Sequence, residues 1–295
     1  MSAEAPPGPA GLGRPIRGPH ALTDDWGRFW HLTFNIARNE WKLRFFGSAL
    51  GYVWQVMRPL LLFGVLYLFF TQIARVDQTD GKGGGERFYG TQLLGSIVLF
   101  TFFAEATSVA VRSVVDRETL VRKIQFPRLV IPLSVVLVSL FNLGLNLVVV
   151  LVFGLIEGVR PMVSWLELPV IVLLLGLLST GLAMLLSALF VFFRDMQPIW
   201  EVVTQILFYA SPVIIPLATV RAKLGTGLLH LYMLNPLADL LQEFRHAMVW
   251  NGTSSAADAI GGWAALMAPA AIVLGIFVLG FRVFNRSARV IAENL

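Results

Sequence analysis

Residues 112–134 read RSVVDRETLVRKIQFPRLVIPLS and lie between two long apolar runs. Ser113 to Pro127 is short, basic and helix-prone, with Glu118 and Arg122 at the i,i+4 spacing that steadies a helix. Phe126-Pro127-Arg128 closes it and a second proline, Pro132, follows. The flanking runs, Tyr89–Val111 and Leu129–Ile156, are each long enough to cross a bilayer as helix. The stretch reads as a charged helix held against one membrane face by the spans beside it, a placement that suits docking onto a soluble partner.

The rest of the chain agrees with a membrane solvent. Of 295 residues, 56% are hydrophobic and only 14% charged, and the mean hydropathy is +0.72. A water-soluble domain cannot cover that much apolar surface. Six segments meet the requirement of about 20 apolar residues: Tyr52–Ala74, Tyr89–Val111, Leu129–Ile156, Leu168–Phe193, Ile199–Ile215 and Gly262–Phe281. The expected fold is therefore an all-α, polytopic membrane protein with six transmembrane helices. No apolar core of a signal peptide follows the Pro- and Gly-rich start Met1–His20, so the first span is expected to stay as an anchor. There is no cysteine, hence no disulfide and no thiolate metal site. The basic pI of about 9.9 does not point to nucleic acid, because the cations cluster at span ends.

That clustering sets the orientation. The N-terminal arm carries Arg14, Arg17, Arg28, Arg38, Lys42 and Arg44, the docking stretch Arg112, Arg117, Arg122, Lys123 and Arg128, and the tail Arg282, Arg286 and Arg289. The positive-inside rule places all three in the cytoplasm, as an even number of spans requires. The expected organisation is a disordered tail at 1–22, an amphipathic interface helix at 23–50, a six-span domain at 51–285 and a cytoplasmic tail at 286–295. Within the interface helix Trp26, Trp30, Phe34, Ala37, Trp41 and Phe45 fall on one face and Arg28, Asn35, Arg38, Asn39 and Lys42 on the other.

Charges inside spans are the next signal, since they are costly in hydrocarbon and default to functional readings. Arg58 and Glu105 lie at similar depth in the first and second spans, which makes an ion pair between them an expectation. The sharper alternative is that the Arg58 guanidinium, suited to planar bidentate recognition, meets the phosphate of a bound ligand. Arg194-Asp195 forms the inner turn between spans four and five, suited to a local salt bridge or a second contact with the soluble partner. Beyond span five, residues 216–261 hold helical stretches too short and polar to span, at Gly225–Met233 and Pro236–Val249, which read as re-entrant or interfacial helices.

The docking stretch with Phe126-Pro127-Arg128 and Pro132 closely resembles the coupling helix of ABC-2 type polysaccharide export permeases. Leu50-Gly51-Tyr52-Val53-Trp54 before Pro59, Phe193-Arg194-Asp195, Phe208 to Val213, and Asn235-Pro236-Leu237 through Phe244-Arg245 are similar to the same family in order and in side of the membrane. The resemblance covers the chain from about residue 25 onward. It implies a homodimer around a central channel, served by two copies of an ATP-binding subunit that carries the ATP and Mg, with no cofactor in this chain. It implies motor coupling through Arg117, Glu118, Val121, Arg122, Lys123, Phe126, Pro127, Arg194 and Asp195 of the coupling helix 113–127 and the inner turn. It implies channel or substrate contacts at Trp54, Phe208, Tyr209 and Asn235, to which the intramembrane charges Arg58 and Glu105 are added as candidates, with 216–261 as an outer gate and Trp26, Trp30 and Trp41 on the interface helix. The family more often carries a small polar residue before this proline, so Arg58 is a departure. The implied cargo is a polysaccharide on a polyprenyl pyrophosphate lipid, as in O-antigen, teichoic acid and cell-wall galactan exporters. The excess of arginine over lysine tilts this toward the actinobacterial galactan type.

Other residue patterns narrow the classes. Gly81-Lys82-Gly83-Gly84-Gly85 lacks the Walker spacing, so ATP is expected on another chain. His20, His31, His230 and His246 all fall outside the six spans, and no acid, base and nucleophile set lies within them. No set of in-membrane carboxylates for proton coupling is present, against a secondary transporter. Two alternatives remain open: a drug-efflux permease of the ABC-2 type, and a membrane scaffold or transferase without transport.

Overall fold

The computed structural model describes residues 26–45, 51–73, 88–119, 127–249 and 254–294. The expected tail 1–22, the glycine-rich loop 81–85 and the coupling residues Val121, Arg122, Lys123 and Phe126 lie outside the described residues. Among the described residues every regular element is helical. In chain order they are α1 (Trp26–Phe45), α2 (Gly51–Leu68, ending in a π turn Phe69–Ile73), α3 (Tyr89–Ser113), α4 (Val130–Glu157) and α5 (Leu168–Phe192, entered by a 3₁₀ turn Val163–Glu167). Then come α6 (Met196–Tyr209), α7 (Leu217–Met233), α8 (Pro236–Val249), α9 (Ala256–Ile260) and α10 (Met267–Asn294).

Prolines mark the starts. Pro132, Pro169, Pro198, Pro236 and Pro269 all fall in the first turn of their helices, where the missing N–H costs no hydrogen bond. Among the described residues Pro59 alone sits inside a helix, in α2. Among the described residues five helices are long and apolar enough to cross a bilayer, with the stretches Val53–Ile73, Tyr89–Ser113, Val130–Glu157, Val163–Phe192 and Met267–Ala288. The segment expected as the fifth span, Ile199–Ile215, is not one long helix. It is α6, 14 residues or about 21 Å, followed by a turn through Ser211-Pro212 to Pro216. The last long helix starts at Met267 rather than Gly262, because Gly261 and Gly262 hold left-handed φ values of 103° and 123°. It runs on through most of the expected tail.

The core is built around α3. Some 72% of its most apolar window is buried, against 11% in α2 and 22% in α10. Helices α2, α4, α5, α6 and α8 all pack on it. Glu157 at the end of α4 caps its start, accepting from the Thr91 backbone N–H (2.8 Å) and hydroxyl (2.5 Å), where orphan N–H groups favour an anion. Close approach is set by glycine. A Cβ on Gly95 would lie 2.1 Å from the Phe244 ring, which seats α8 on α3. A Cβ on Gly280 would lie 2.1 Å from the Gly181 carbonyl oxygen, and one on Gly181 2.7 Å from Phe277 Cα, so α5 and α10 touch backbone to backbone.

Gly181→Leu is expected to force α5 and α10 apart and to cost about 1–3 kcal/mol or more by overpacking. Gly176→Ala, where a Cβ meets only Leu140 Cδ2 at 4.0 Å, should leave the melting temperature of the purified protein nearly unchanged. Differential scanning fluorimetry in detergent separates the two.

Candidate functional site

Three groups of polar residues break the apolar helices. The first gathers around Glu105 of α3, eight residues before Ser113. Its carboxylate accepts from Arg44 of α1 (2.5 Å), from Asn142 of α4 (3.1 and 3.3 Å) and from Gln55 of α2 (3.4 Å). Asn142 in turn accepts from the Trp41 indole at 2.9 Å. The expected Arg58–Glu105 pair does not form. Glu105 faces α1 and α4, while Arg58 points out from the exposed face of α2 beside Trp54. The helical spacing that matched their depths could not show which face each charge occupied.

The second ion pair of this region is also internal. The Arg117 guanidinium pairs with Glu40 of α1 and donates to the Ser134 hydroxyl (3.1 Å) and the Ile131 carbonyl (3.4 Å) of α4. Arg117 thus fastens the segment after α3 to α1 and α4. Glu118 is half-buried next to it, and Pro127 and Arg128 are buried where the chain re-enters at α4. In α1 itself Phe29, Thr33 and Ala37 are buried against the bundle, whereas Trp26, Trp30 and Phe34 are exposed. That differs from the expected single aromatic face: the helix has a packed stripe, an exposed aromatic stripe and a polar stripe of Arg28, Asn35, Arg38, Asn39 and Lys42. Arg194 and Asp195 are both exposed, with Arg194 over the Phe190 ring (5.3 Å) and no salt bridge between the two among the described residues.

The third group lies on α6 and the helices after it. Trp200 donates to the Thr107 hydroxyl (3.0 Å), Phe208 meets Phe100 edge to face (5.0 Å), and the Tyr89 hydroxyl donates to the Ile214 carbonyl (3.1 Å). These contacts run from Thr107 to the first residue of α3, a rise of about 27 Å. On the same helix Glu201, Gln205 and Tyr209 are exposed. With Thr204 and Phe208 they border an open cleft of about 600 Å³ completed by Phe100 and Ser108. Sequence reasoning found Phe208 and Tyr209 but missed Glu201, Thr204 and Gln205, whose signal was polar residues at i, i+3 and i+4 in a segment taken as a span.

Asn235 is structurally committed: its Oδ1 accepts from Leu237 N–H at the start of α8 and its Nδ2 donates to Ser211 (both 3.1 Å). Arg245, fully buried, donates to the Ser96 hydroxyl (2.9 Å) and the Val213 carbonyl (2.8 Å), tying α8 to α3 and to the turn after α6. On the opposite face of α8, Asp239 and Glu243 border a cleft of about 360 Å³ with Glu167 and Trp263. Burial first, and the Glu243 carboxylate second, push the Asp239 carboxyl up to about 7. Among the described residues no group of His, Asp and Glu is arranged to hold a metal ion.

Comparison with known proteins adds to this geometry. The model of the family "ABC-2 type transporter" matches residues 31–249. The O-antigen export system permease protein RfbA of Myxococcus xanthus is 29% identical over 214 residues, covering 72% of this chain and 78% of the relative. A protein of the same name from Klebsiella pneumoniae is 27% identical over 228 residues, covering 77% and 83%.

Two outcomes follow from the geometry. Glu105→Ala strips a shared acceptor from three helices and should destabilise the purified protein by about 1–3 kcal/mol, with Glu105→Gln milder; equilibrium or thermal unfolding measures both. A raised Asp239 pKa means that the folded state holds a proton the unfolded chain has lost, so this residue's contribution is full below about pH 4 and fades as pH rises to about 7. Asp239→Asn should remove that slope and raise the melting temperature relative to wild type at pH 8.

Proposed function

The chain belongs to the ABC-2 type transporter family, and we propose that it is the channel-forming half of an ATP-driven exporter of a lipid-linked polysaccharide. The observation that carries this reading is the outward stripe of α6. A carboxylate, an amide and a phenol (Glu201, Gln205 and Tyr209) stand exposed on a helix that runs alongside the most buried span of the protein. Such groups are too costly to face lipid and belong on a hydrated path or against protein. Polar acceptors and donors interleaved with aromatic rings suit sugars, whose hydroxyls take hydrogen bonds and whose apolar faces stack on rings. The printed names of the relatives, permeases of O-antigen export, agree with a polysaccharide cargo.

On this reading α6 and the turn to Ile215 make the remaining crossing beside the five long helices, for six in all. A non-helical turn at membrane depth is tolerated because it is buried in protein, with Arg245 and Tyr89 satisfying its carbonyls. Both termini then share the cytoplasmic side with the coupling helix 113–127, in agreement with the distribution of arginine and lysine. Two copies enclose the path, and two ATP-binding subunits, which hold ATP and Mg, dock from the cytoplasm of a bacterial cell. Helix α1 lies along the inner membrane surface with Trp26 and Trp30 toward lipid, and the segment 216–261 closes the outer mouth. Arg117 transmits motor movement by holding the coupling helix against α1 and α4. The chain itself is a permease subunit and not an enzyme.

The test is ATP-dependent appearance of the glycan on the outer face of cells, or inside inverted membrane vesicles. Gln205→Leu and Tyr209→Ala are expected to cut export about tenfold or more, the effect of losing one or two good contacts per sugar passed, with normal membrane levels of the complex. Full export by both variants would remove α6 from the path. Efflux of small apolar compounds in place of glycan would favour the drug-pump alternative.

A further inference from the structure

Two charges of opposite sign are exposed on the helices where hydrocarbon should be. Arg58 stands in the outward stripe of α2 among Trp54, Met57, Leu61, Leu62 and Val65. Glu201 stands on the outward stripe of α6. Neither forms an ion pair among the described residues; the one hydrogen bond Glu201 accepts there comes from Gln197, a turn earlier on its own helix.

Their depths agree. Gln55 of α2 reaches Glu105 of α3, which sets a common level. Arg58 is three residues further along α2, about 4–5 Å deeper, and side chains on a helix lean back toward its N-terminus, here toward that level. Trp200 of α6 reaches Thr107, half a turn from Glu105, and Glu201 is the next residue. The two charged groups therefore lie within about 6 Å of the same depth, a gap that an arginine and a glutamate side chain together span. Around α3, helix α2 packs on the side of Glu105 and α6 on the side of Phe100, Phe103 and Thr107. Between them the strip Thr101, Ala104 and Ser108 is only half-buried.

We propose that Arg58 of one copy pairs with Glu201 of a second copy, at a seam where α2 of each protomer meets α6 of the other. A two-fold axis makes such a contact twice, each site incomplete without a residue from both copies. The occupant of the α2 face is a second copy because that face carries one cation in an apolar stripe and α6 supplies one anion at its level. Lipid satisfies the apolar residues and leaves both charges unpaired; a second copy satisfies all of them. The pair closes the seam beside the polar stripe Gln205 and Tyr209, so it both registers the two copies and borders the path. This rests on the homodimeric reading above.

The chain contains no cysteine, which allows a clean test. Two differently tagged copies, one carrying R58C and the other E201C, are expressed together with the native ATP-binding partner and treated in membranes with a short bifunctional thiol reagent. A cross-linked species carrying both tags is expected from the mixed pair and not from either variant alone. Arg58→Glu and Glu201→Arg should each lower recovery of the two-tag dimer roughly tenfold, and the double exchange on both copies should restore most of it. If unlabelled tagged copies co-purify but the mixed pair does not cross-link, or the double exchange stays as poor as the singles, the pair is overturned and the dimer stands. If tagged copies do not co-purify at all, the dimeric reading fails and takes the pair with it.

Discussion

A carboxylate in hydrocarbon must be surrounded by donors, and Glu105 meets that demand by collecting three other helices. Arg44, Gln55 and Asn142 come from α1, α2 and α4 and converge on one side chain of α3. The consequence is mechanical. Helix α1, whose own polar stripe would let it lie loosely at a surface, is tied into the bundle at Glu105, and again at Glu40 through Arg117. The segment after α3, α1 and the first turns of α4 are therefore one piece. The segment after α3 is joined to α1, and α1 to α3, by two charged contacts that are directional and short-ranged, and α1 is seated by the buried stripe of Phe29, Thr33 and Ala37.

Around that piece the helices divide in character. Helices α3, α4, α5 and α8 share one continuous core, and α10 is pressed onto α5 at the Gly181–Gly280 crossing. Helix α2 is the exception, nearly unburied for its length, and α6 is the other, short and polar on its outward side. Both rest on α3 but keep one face open among the described residues, which is what the proposed wall between two protomers would use. Large apolar exposure on α2 costs nothing in lipid, whereas the charges on α2 and α6 do. The turn after α6 is fastened by Arg245 and Asn235, so the segment leading to the far-side helices is held at both ends.

Much of this was legible in the sequence, and the misses have physical causes. Apolar length located the five long helices, because a span is a property of composition over about 20 residues. Ile199–Ile215 is short and meets Ser211-Pro212, where α6 gives way to a turn whose carbonyls Arg245 and Tyr89 satisfy. Glu105 and Arg58 were recognisable as intramembrane charges, but pairing depends on rotation about the helix axis, and the partner of Glu105 came from the interfacial helix. The contact of Arg117 with Glu40 was not legible, because a basic residue in a short loop looks the same whether it faces solvent or a neighbouring carboxylate. Arg245 could have been found: it follows Leu241 by one turn on the apolar stripe with Leu237, Phe244 and Met248, where an arginine must be buried and bonded. Glu201 and Gln205 were hidden by an apolar average.

The central claim is that this chain works as the membrane half of an ATP-driven machine. The most direct measurement is to purify a tagged copy from native membranes in mild detergent and identify its companions by mass spectrometry. The account predicts a stoichiometric partner bearing a Walker A sequence, retained with wild type and weakened when the link of Arg117 to Glu40 is broken. A chain that purifies without such a partner, under conditions that keep other membrane complexes whole, would contradict it.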